Sequence, residues 1–263
     1  CRYCGPELSS NWFQDAVKSE WNITPTEQVI QIRNDVDNFM EEFEPMLEHI
    51  EQIYWAGGEP IIMDEHWSIM NRLVEMGKTD IRIFYNTNFT TLTYKKHNVL
   101  DLWKNFDNIS VGASLDAEGL RGEYQRKGTV WADVESNIKQ LKETSPEVDF
   151  YISATVSAYN AWHITDFHRS WVDKGYIKPA DWYMNVLLNN QRFRMSVLPE
   201  TLRKEIKYKW EKHLAWLEPQ DHIGRATDGY KSAIKFLDDD HTHLLDEFKA
   251  FNVEFDKLRD ENF

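Results

Sequence analysis

Apolar residues follow two different periods along this chain, and their alternation predicts a repeated strand-and-helix arrangement. Short apolar runs, the pattern of β-strands, lie at residues 50–56, 81–85, 108–115, 148–157 and 181–188. Between these runs, apolar side chains recur three or four positions apart, as on one face of a helix, at residues 64–76, 100–106, 131–143 and 161–174. Strands and helices that alternate every ~30 residues are typical of βαβ units and therefore predict a parallel sheet.

The pattern changes near residue 190. Beyond this point three consecutive stretches have only the helical period, at residues 199–217, 229–237 and 243–258. Upstream of the first strand, residues 26–49 also predict one or two helices. We therefore expect an α/β domain over residues 1–190, followed by a helical C-terminal extension over residues 191–263.

The composition is that of a folded protein with an acidic charge balance. Of the 263 residues, 41% are hydrophobic and 28% are charged, and the formal net charge is −14. These proportions exclude wholesale disorder, and the negative balance is the opposite of what binding to nucleic-acid phosphates requires. No apolar run approaches the ~20 residues that span a bilayer. We expect a soluble protein without nucleic-acid or membrane partners.

The cysteine count and the first residue add two expectations. Two cysteines in a chain of this length cannot form a disulfide framework, which favours a reducing compartment and a cytoplasmic location. The chain begins with Cys1 rather than Met, and no signal-peptide pattern precedes the first domain. We therefore expect the sequence to be a fragment that lacks its beginning.

Polar and glycine residues follow the predicted strands at the point where each strand ends. In chain order they include Gly57, Gly58, Glu59, Asn88, Ser114, Asp116 and Asn160. Because the carboxyl ends of parallel strands meet at one edge of a sheet or barrel, these residues are candidates for a common active site. The alternative is that each one only caps a helix or stabilises a turn.

Cys1 and Cys4 have the CxxC spacing, which three interpretations fit. The spacing suits zinc or an iron–sulfur cluster, but it also occurs in redox pairs and by coincidence. Redox pairs of the thioredoxin type lie at a helix start after a strand, and no strand pattern precedes Cys1. The spacing alone leaves the three interpretations open.

Taken together, these motifs resemble those of radical S-adenosylmethionine (SAM) enzymes. Gly57-Gly58-Glu59-Pro60 resembles the GGEP motif of that superfamily, and Cys1-Arg2-Tyr3-Cys4 resembles the last two cysteines of its CxxxCxxC motif. Residues 86–88 (NTN), 114–117 (SLDA) and 126–128 (RKG) resemble the motifs that follow later strands. Residues 4–6 (CGP) with 9–12 (SSNW), and residues 123–131 (EYQRKGTVW), are similar to twitch-domain-containing members.

The resemblance implies a partial (β/α)6 TIM-type barrel whose first strand is missing. The first cysteine of CxxxCxxC is absent, and both it and the strand that carries it would lie immediately before Cys1. The five predicted strands would then be the second to the sixth of the barrel. A twitch-type auxiliary iron–sulfur cluster would need cysteines outside this sequence.

Two cofactors and a reaction type come with the resemblance. Cys1 and Cys4 would be two of the three thiolate ligands of a [4Fe-4S] cluster, whose open iron is chelated by SAM. Reductive cleavage of SAM would give a 5′-deoxyadenosyl radical that abstracts hydrogen from the substrate. The fragment alone is expected to be inactive, because one cluster ligand and one strand are absent.

The GGEP-like turn and one arginine are the first candidates for binding SAM. Gly57 and Gly58 would let the backbone approach the methionyl ammonium, because glycine has no Cβ in the way. Glu59 would accept a hydrogen bond from that ammonium or only hold the turn. Arg126 would donate to the SAM carboxylate, and its alternative is a surface arginine in a loop.

Five further positions are candidates for binding the rest of SAM. Ser114 would bond to the ribose or the carboxylate, and Asn88 and Asn160 to the nucleoside. Asp116 would take part in the same site or cap the next helix. Leu187 would contact the adenine, although a core leucine is the simpler interpretation.

The expected partners are a peptide or protein substrate, by analogy with family members, and a reductant such as flavodoxin or ferredoxin. Two alternatives stay open. In a barrel hydrolase, Glu59 and Asp116 would form the carboxylate pair, and the cysteines would be dispensable. In a non-catalytic protein, the radical SAM fold would be a scaffold that has lost its cluster, or the chain would be a binding module with the helical segment as its interface.

Overall fold

The computed structural model describes residues 1–5, 9–19 and 36–261, and its centre is a parallel sheet. The strands are β1 (Gln52–Trp55), β2 (Arg82–Thr87), β3 (Thr93–Tyr94), β4 (His97–Asn98), β5 (Asn108–Ala113), β6 (Asp149–Val156) and β7 (Trp182–Val186). Within the described residues, five strands form one parallel sheet in the order β1-β2-β5-β6-β7, while β3 and β4 form a separate antiparallel hairpin.

Helices precede, connect and follow the strands. They are α1 (Ser10–Lys18), α2 (Val36–Leu47), α3 (Asp64–Glu75), α4 (Val99–Trp103), α5 (Leu120–Gln125), α6 (Trp131–Thr144), α7 (Ile164–Asp173), α8 (Glu200–Leu217), α9 (Arg225–Lys235) and α10 (Leu245–Arg259). Short 3₁₀ turns cover Pro60–Ile62, Gln191–Phe193, Met195–Val197 and Thr242–Leu244. In this part of the chain, no helix is both long and apolar enough to cross a membrane.

The spatial order of the five strands repeats their order in the chain. Successive right-handed crossovers that advance in one direction bring their helices to the same face of the sheet. Burial along β6 alternates between buried and half-exposed side chains, so one face is covered and the other is more open. The predicted α/β class with a parallel sheet is therefore confirmed, while closure into a (β/α)6 barrel stays a prediction.

The predicted strands and connecting helices are found, with ends that move by a few residues. The fifth strand is shorter than expected, and α9 begins at Arg225 rather than at residue 229. Gly229 therefore lies inside α9. The helix packs closely on β7 at this position, since an added Cβ would come within 3.2 Å of the Met184 side chain. The pattern did not predict α1, α5 or the β3–β4 hairpin, and the predicted helical residues 26–35 lie outside the described residues.

The helices after residue 190 share a core with the sheet. A single hydrophobic cluster includes Ile152 of β6, Trp182 of β7, Trp210 of α8 and Tyr230 of α9. This shared core joins α8 and α9 directly to the sheet. The division into a 1–190 domain and a 191–263 extension stays a prediction.

A buried histidine pair connects α7, α8 and α9 behind the sheet. His168 Nε2 lies 3.1 Å from the Pro179 carbonyl, which can only accept, so this nitrogen donates and Nδ1 is the acceptor. His213 Nε2 then donates to His168 Nδ1 over 3.0 Å. The Trp182 ring stacks on His168 at 4.4 Å between centroids, and the Tyr230 hydroxyl lies 3.4 Å from the same Nδ1. The neutral forms of both histidines satisfy this arrangement.

Acid should destabilise the protein through this pair. Burial lowers the pKa of His213 to about 4 and that of His168 well below 6.5, so protonation near pH 5 favours the unfolded chain. The stabilisation is complete above the unfolded pKa of about 6.5 and is lost as the pH falls from there towards 4. We expect His213→Gln to reduce the slope of unfolding free energy against pH in this window by up to about 1.4 kcal/mol per pH unit.

Urea unfolding followed by circular dichroism between pH 7 and pH 4.5 measures this slope. The exposed His222 provides the control, and His222→Gln should keep the wild-type slope. An unchanged slope in His213→Gln would show that His213 titrates normally in the folded protein.

Candidate active site at the carboxyl edge of the sheet

A glycine turn leaves open space at the end of β1. Gly57 lies two residues after the end of the strand and has φ +116°, a conformation that residues with a Cβ rarely adopt. Among the described residues, and apart from its immediate neighbours in the chain, a Cβ built on Gly57 or Gly58 would meet no atom within 4 Å. The turn therefore fits a ligand that approaches the backbone closely.

Glu59 connects the end of β1 to the end of β2. Its carboxylate accepts from Thr87 Oγ1 and from the Asn88 backbone N–H, each over 2.7 Å, and from the Ile61 N–H over 3.4 Å. Burial raises the pKa of Glu59, although these hydrogen bonds oppose the shift. Both carboxylate oxygens are engaged by the protein, so Glu59 primarily fixes the two strand ends relative to each other.

A buried ion pair lies at the ends of β5 and β6. Arg126 Nε donates to Asp116 Oδ2 over 2.7 Å, and Arg126 Nη1 donates to Asn88 Oδ1 over 3.0 Å. The other Asp116 oxygen accepts from the Thr155 N–H over 2.8 Å. Burial opposes the charge of Arg126, but the adjacent Asp116 carboxylate and Tyr3 phenol outweigh it and raise the Arg126 pKa.

The CxxC loop contacts this ion pair directly. The Tyr3 hydroxyl donates to Asp116 Oδ2 over 2.5 Å and accepts from Arg126 Nη2 over 3.4 Å. The neighbouring Arg2 N–H donates to the carbonyl of Gln125 in α5 over 2.8 Å. Burial, together with the Asp116 charge, raises the pKa of Tyr3, which therefore stays a neutral donor. The loop is held against the carboxyl edge of the sheet.

The state of the two cysteines differs from the expected pair of thiolates. The sulfur atoms of Cys1 and Cys4 are bonded to each other as a disulfide. The loop closes on itself, with the Cys4 N–H donating to the Cys1 carbonyl over 3.4 Å, and this turn brings both side chains within reach of each other. Neither sulfur can ligate iron as a disulfide, so the predicted role requires reduction by two electrons.

The donor set for the expected cluster is incomplete within this sequence. It contains two cysteines, and no group of three or more His, Cys, Asp or Glu in the described residues is placed to hold a metal ion. The chemistry of the two sulfurs fits an iron–sulfur cluster, which needs further ligands beside these two.

The remaining predicted residues differ in how freely their side chains can bind a ligand. The Asn160 amide donates to the Asp116 and Thr155 carbonyls, both over 2.9 Å, and accepts from the Ser157 N–H over 2.8 Å. Both of its amide hydrogens are therefore used within the protein, which favours a structural role. In contrast, no described residue forms a hydrogen bond with the Ser114 hydroxyl, although the Ser114 N–H donates to the Thr87 carbonyl at the same edge.

Glu59, Asn88, Asp116 and Arg126 thus form one continuous hydrogen-bonded network. Leu187 lies at the end of β7, where its N–H donates to the Val156 carbonyl. Tyr3, which is central to the network, was not among the residues predicted from the sequence. Its signal was available, since it lies between two cysteines that were themselves candidates. The ligand roles of the predicted residues stay predictions.

Comparison with known proteins gives a limited result. No family model matches the chain, and no curated protein matches it. Five chains of solved structures match. One is described as "Native anSMEcpe with bound AdoMet and Cp18Cys peptide", with 16% identity, a TM-score of 0.48, and coverage of 67% of this chain and 52% of that chain. Another, "Native anSMEcpe with bound AdoMet", has 16% identity, a TM-score of 0.47, and coverage of 68% and 52%.

This chain therefore spans about half the length of the solved chains that it matches. The identities and TM-scores are too low to establish a shared family or function.

Asp116→Asn should destabilise the protein strongly. The variant keeps the shape of the side chain but leaves the Arg126 charge without its counter-ion. Both side chains are largely buried, since that of Asp116 is 0% exposed and that of Arg126 is 16% exposed. We expect the free energy of unfolding at pH 7 to fall by about 3–5 kcal/mol, measured by urea denaturation.

The matched control is Asp101→Asn, which removes an aspartate that is 74% exposed and paired with Lys104. This change should cost less than about 1 kcal/mol. Equal effects of the two substitutions would contradict the central role of Asp116.

Proposed function

We propose that this chain forms the core of a radical SAM enzyme, which uses a [4Fe-4S] cluster to cleave SAM reductively and abstract hydrogen from a substrate. The observation that supports this proposal most directly is the contact of Tyr3 with Asp116 and Arg126. Through it, the loop that carries the candidate cluster ligands lies against the residues that are candidates for SAM. The two groups of candidates, which are far apart in sequence, form one site.

The cysteines and the glycine turn would provide the two adjoining halves of the site. When bound, the cluster supplies the electron that cleaves SAM. Cys1 and Cys4, once reduced, would hold two of its irons. The open space in front of Gly57 and Gly58 would admit the methionyl end of SAM, whose ammonium could approach the backbone there.

Arg126 is the residue best placed to bind the SAM carboxylate. A guanidinium has five N–H groups, and three of them donate to Asp116, Asn88 and Tyr3. The remaining two lie on different terminal nitrogens, so they suit the two oxygens of a carboxylate. The ion pair with Asp116 would keep the guanidinium in place before SAM arrives, which reduces the entropic cost of binding.

The smaller candidates would complete the pocket. The Ser114 hydroxyl and the Asn88 side-chain N–H groups would bond to the ribose and nucleoside, and Leu187 would contact the adenine ring. Asn160 would act indirectly, since its amide holds the Asp116 and Thr155 carbonyls. We place Asn160 in the support of the site rather than in contact with SAM.

The more open face of the sheet would receive the substrate. Strand registers place Tyr54, Asn86, Tyr151 and Tyr183 on this face, and Tyr54 and Tyr183 are 56% and 50% exposed. Gly112 lies between Asn86 and Tyr151, where an added Cβ would come within 2.9 Å of both side chains. Phenol and amide groups suit the mixed polarity of a peptide, which we propose as the substrate class, with flavodoxin or ferredoxin as the reductant.

The carboxylate-pair alternative receives no support from the geometry. A hydrolase needs one carboxyl group to donate a proton and another to attack or activate water. Glu59 and Asp116 are both buried, and the protein's own donors occupy the oxygens of both groups. Neither is presented to a substrate. The non-catalytic scaffold is the alternative that the following experiment separates.

Formation of 5′-deoxyadenosine tests the proposal. The complete gene product that contains this sequence is purified without oxygen, reconstituted with iron and sulfide, reduced with dithionite and given SAM. We expect 5′-deoxyadenosine from the wild type and at least about a hundredfold less from Cys4→Ala, because that variant lacks a cluster ligand. Lys127→Gln, an exposed change beside Arg126, is the control and should retain the wild-type rate.

Cleavage that persists in Cys4→Ala would contradict the proposed ligand. A folded wild type that takes up iron but leaves SAM intact would favour the scaffold.

A further inference from the structure

Arg2, between the two cysteines, is fully buried and forms two ion pairs with the C-terminal end of the described chain. Its Nη2 donates to Asp256 of α10 and its Nη1 to Glu261 just after that helix, each over 2.5 Å. Asn252, one turn earlier, accepts a weaker bond from Nη2 over 3.3 Å. The guanidinium therefore has two nearby carboxylates on an element more than 240 residues away in the sequence.

Aromatic rings enclose the same guanidinium. Its carbon lies 3.9 Å from the centroid of Tyr124 in α5 and 4.9 Å from that of Phe255 in α10. The Tyr124 hydroxyl also donates to Asp256 over 3.1 Å. A cation between two rings and two carboxylates is strongly held, because it loses these interactions and must be rehydrated when it leaves.

Helix α1 contributes a second connection between the loop and α10. Trp12 donates from Nε1 to the Cys1 carbonyl over 3.2 Å and stacks on Phe255 with 4.8 Å between centroids. Cys4 packs against the small hydrophobic cluster that Trp12, Ala16 and Phe255 form. Arg259 of α10 donates to Asp15 of α1 over 2.8 Å. Both cysteines therefore lie next to groups whose positions depend on α10.

We infer that α10 positions the CxxC loop through Arg2, with Asp256 and Glu261 as the positioning residues. Helix α10 thus completes the site from outside the parallel sheet, and the loop cannot leave the carboxyl edge without separating a buried cation from its counter-ions. The placement of the loop stands on these contacts alone, and its consequence for a cluster rests on the proposed function.

Thiol alkylation tests the placement without any cluster. The protein is reduced and treated with iodoacetamide, and the modification of Cys1 and Cys4 is followed by mass spectrometry. We expect Asp256→Asn to increase the alkylation rate about tenfold, because the loop opens more often when the Arg2 charge lacks a partner. Asp256→Glu restores the charge and should return the rate to within about threefold of the wild type.

Asp246→Asn is the matched control, since Asp246 lies on the same helix and is 99% exposed. It should leave the alkylation rate unchanged. If Asp256→Asn does not fold, as judged by its melting temperature, Glu261→Gln tests the same contact. Wild-type alkylation rates in a folded Asp256→Asn or Glu261→Gln variant would overturn the inference.

A second measurement separates positioning from general stability. In iron-reconstituted protein below its melting temperature, we expect Asp256→Asn to release iron to a chelator about tenfold faster and to change the electron paramagnetic resonance spectrum of the reduced cluster. Asp246→Asn should change neither. Iron release and a spectrum identical to the wild type in Asp256→Asn would overturn the role at the cluster. If no variant, including the wild type, takes up iron, the proposed function fails while the alkylation rates still decide the placement of the loop.

Discussion

The candidate site depends on the hydrogen bonds that the Asp116 carboxylate accepts. One of its oxygens accepts from Arg126 and Tyr3, and the other accepts from the backbone of Thr155. It is buried, and a buried charge is tolerable only when donors surround it, so the three partners are fixed relative to one another. They belong to the C-terminal end of α5, to β6 and to the CxxC loop, which this single carboxylate connects.

The sheet explains why these groups can meet. Its five strands are parallel and in chain order, so the loops that follow them leave from the same edge. Glu59 joins the first two strand ends by accepting from the Asn88 N–H. The Asn88 side chain in turn accepts from Arg126, which also donates to Asp116. The N-terminal loop and α10 then close the site from the side through Arg2. The network extends from β1 to the C-terminal helix, although its members are spread over most of the sequence.

Much of this arrangement could be predicted from local patterns, and the rest depends on contacts that no local pattern reports. The period-two and helical stretches located the strands and helices because each element has one apolar face, and the strand ends selected Glu59, Asn88 and Asp116. Arg126 was selected only through the resemblance to radical SAM enzymes. Arg2 was not selected because its counter-ions Asp256 and Glu261 are distant in sequence. Asn160 was assigned to a ligand, whereas both of its amide hydrogens bond to carbonyls that only the folded chain brings together. The disulfide between Cys1 and Cys4 likewise depends on how the loop folds. The CxxC spacing allows this bond but does not by itself predict it.

We propose that the loop and the strand edge form one site in which Arg126 binds SAM beside the cluster. The decisive measurement is the response of the reduced cluster to SAM, followed by electron paramagnetic resonance in the anaerobically reconstituted complete protein. We expect SAM to change the spectrum of the wild type. In Arg126→Lys, which cannot present two N–H groups to a carboxylate, the SAM concentration for half of the change should rise at least about tenfold. A spectrum that does not respond to SAM, or equal half-saturation in the two proteins, would contradict it.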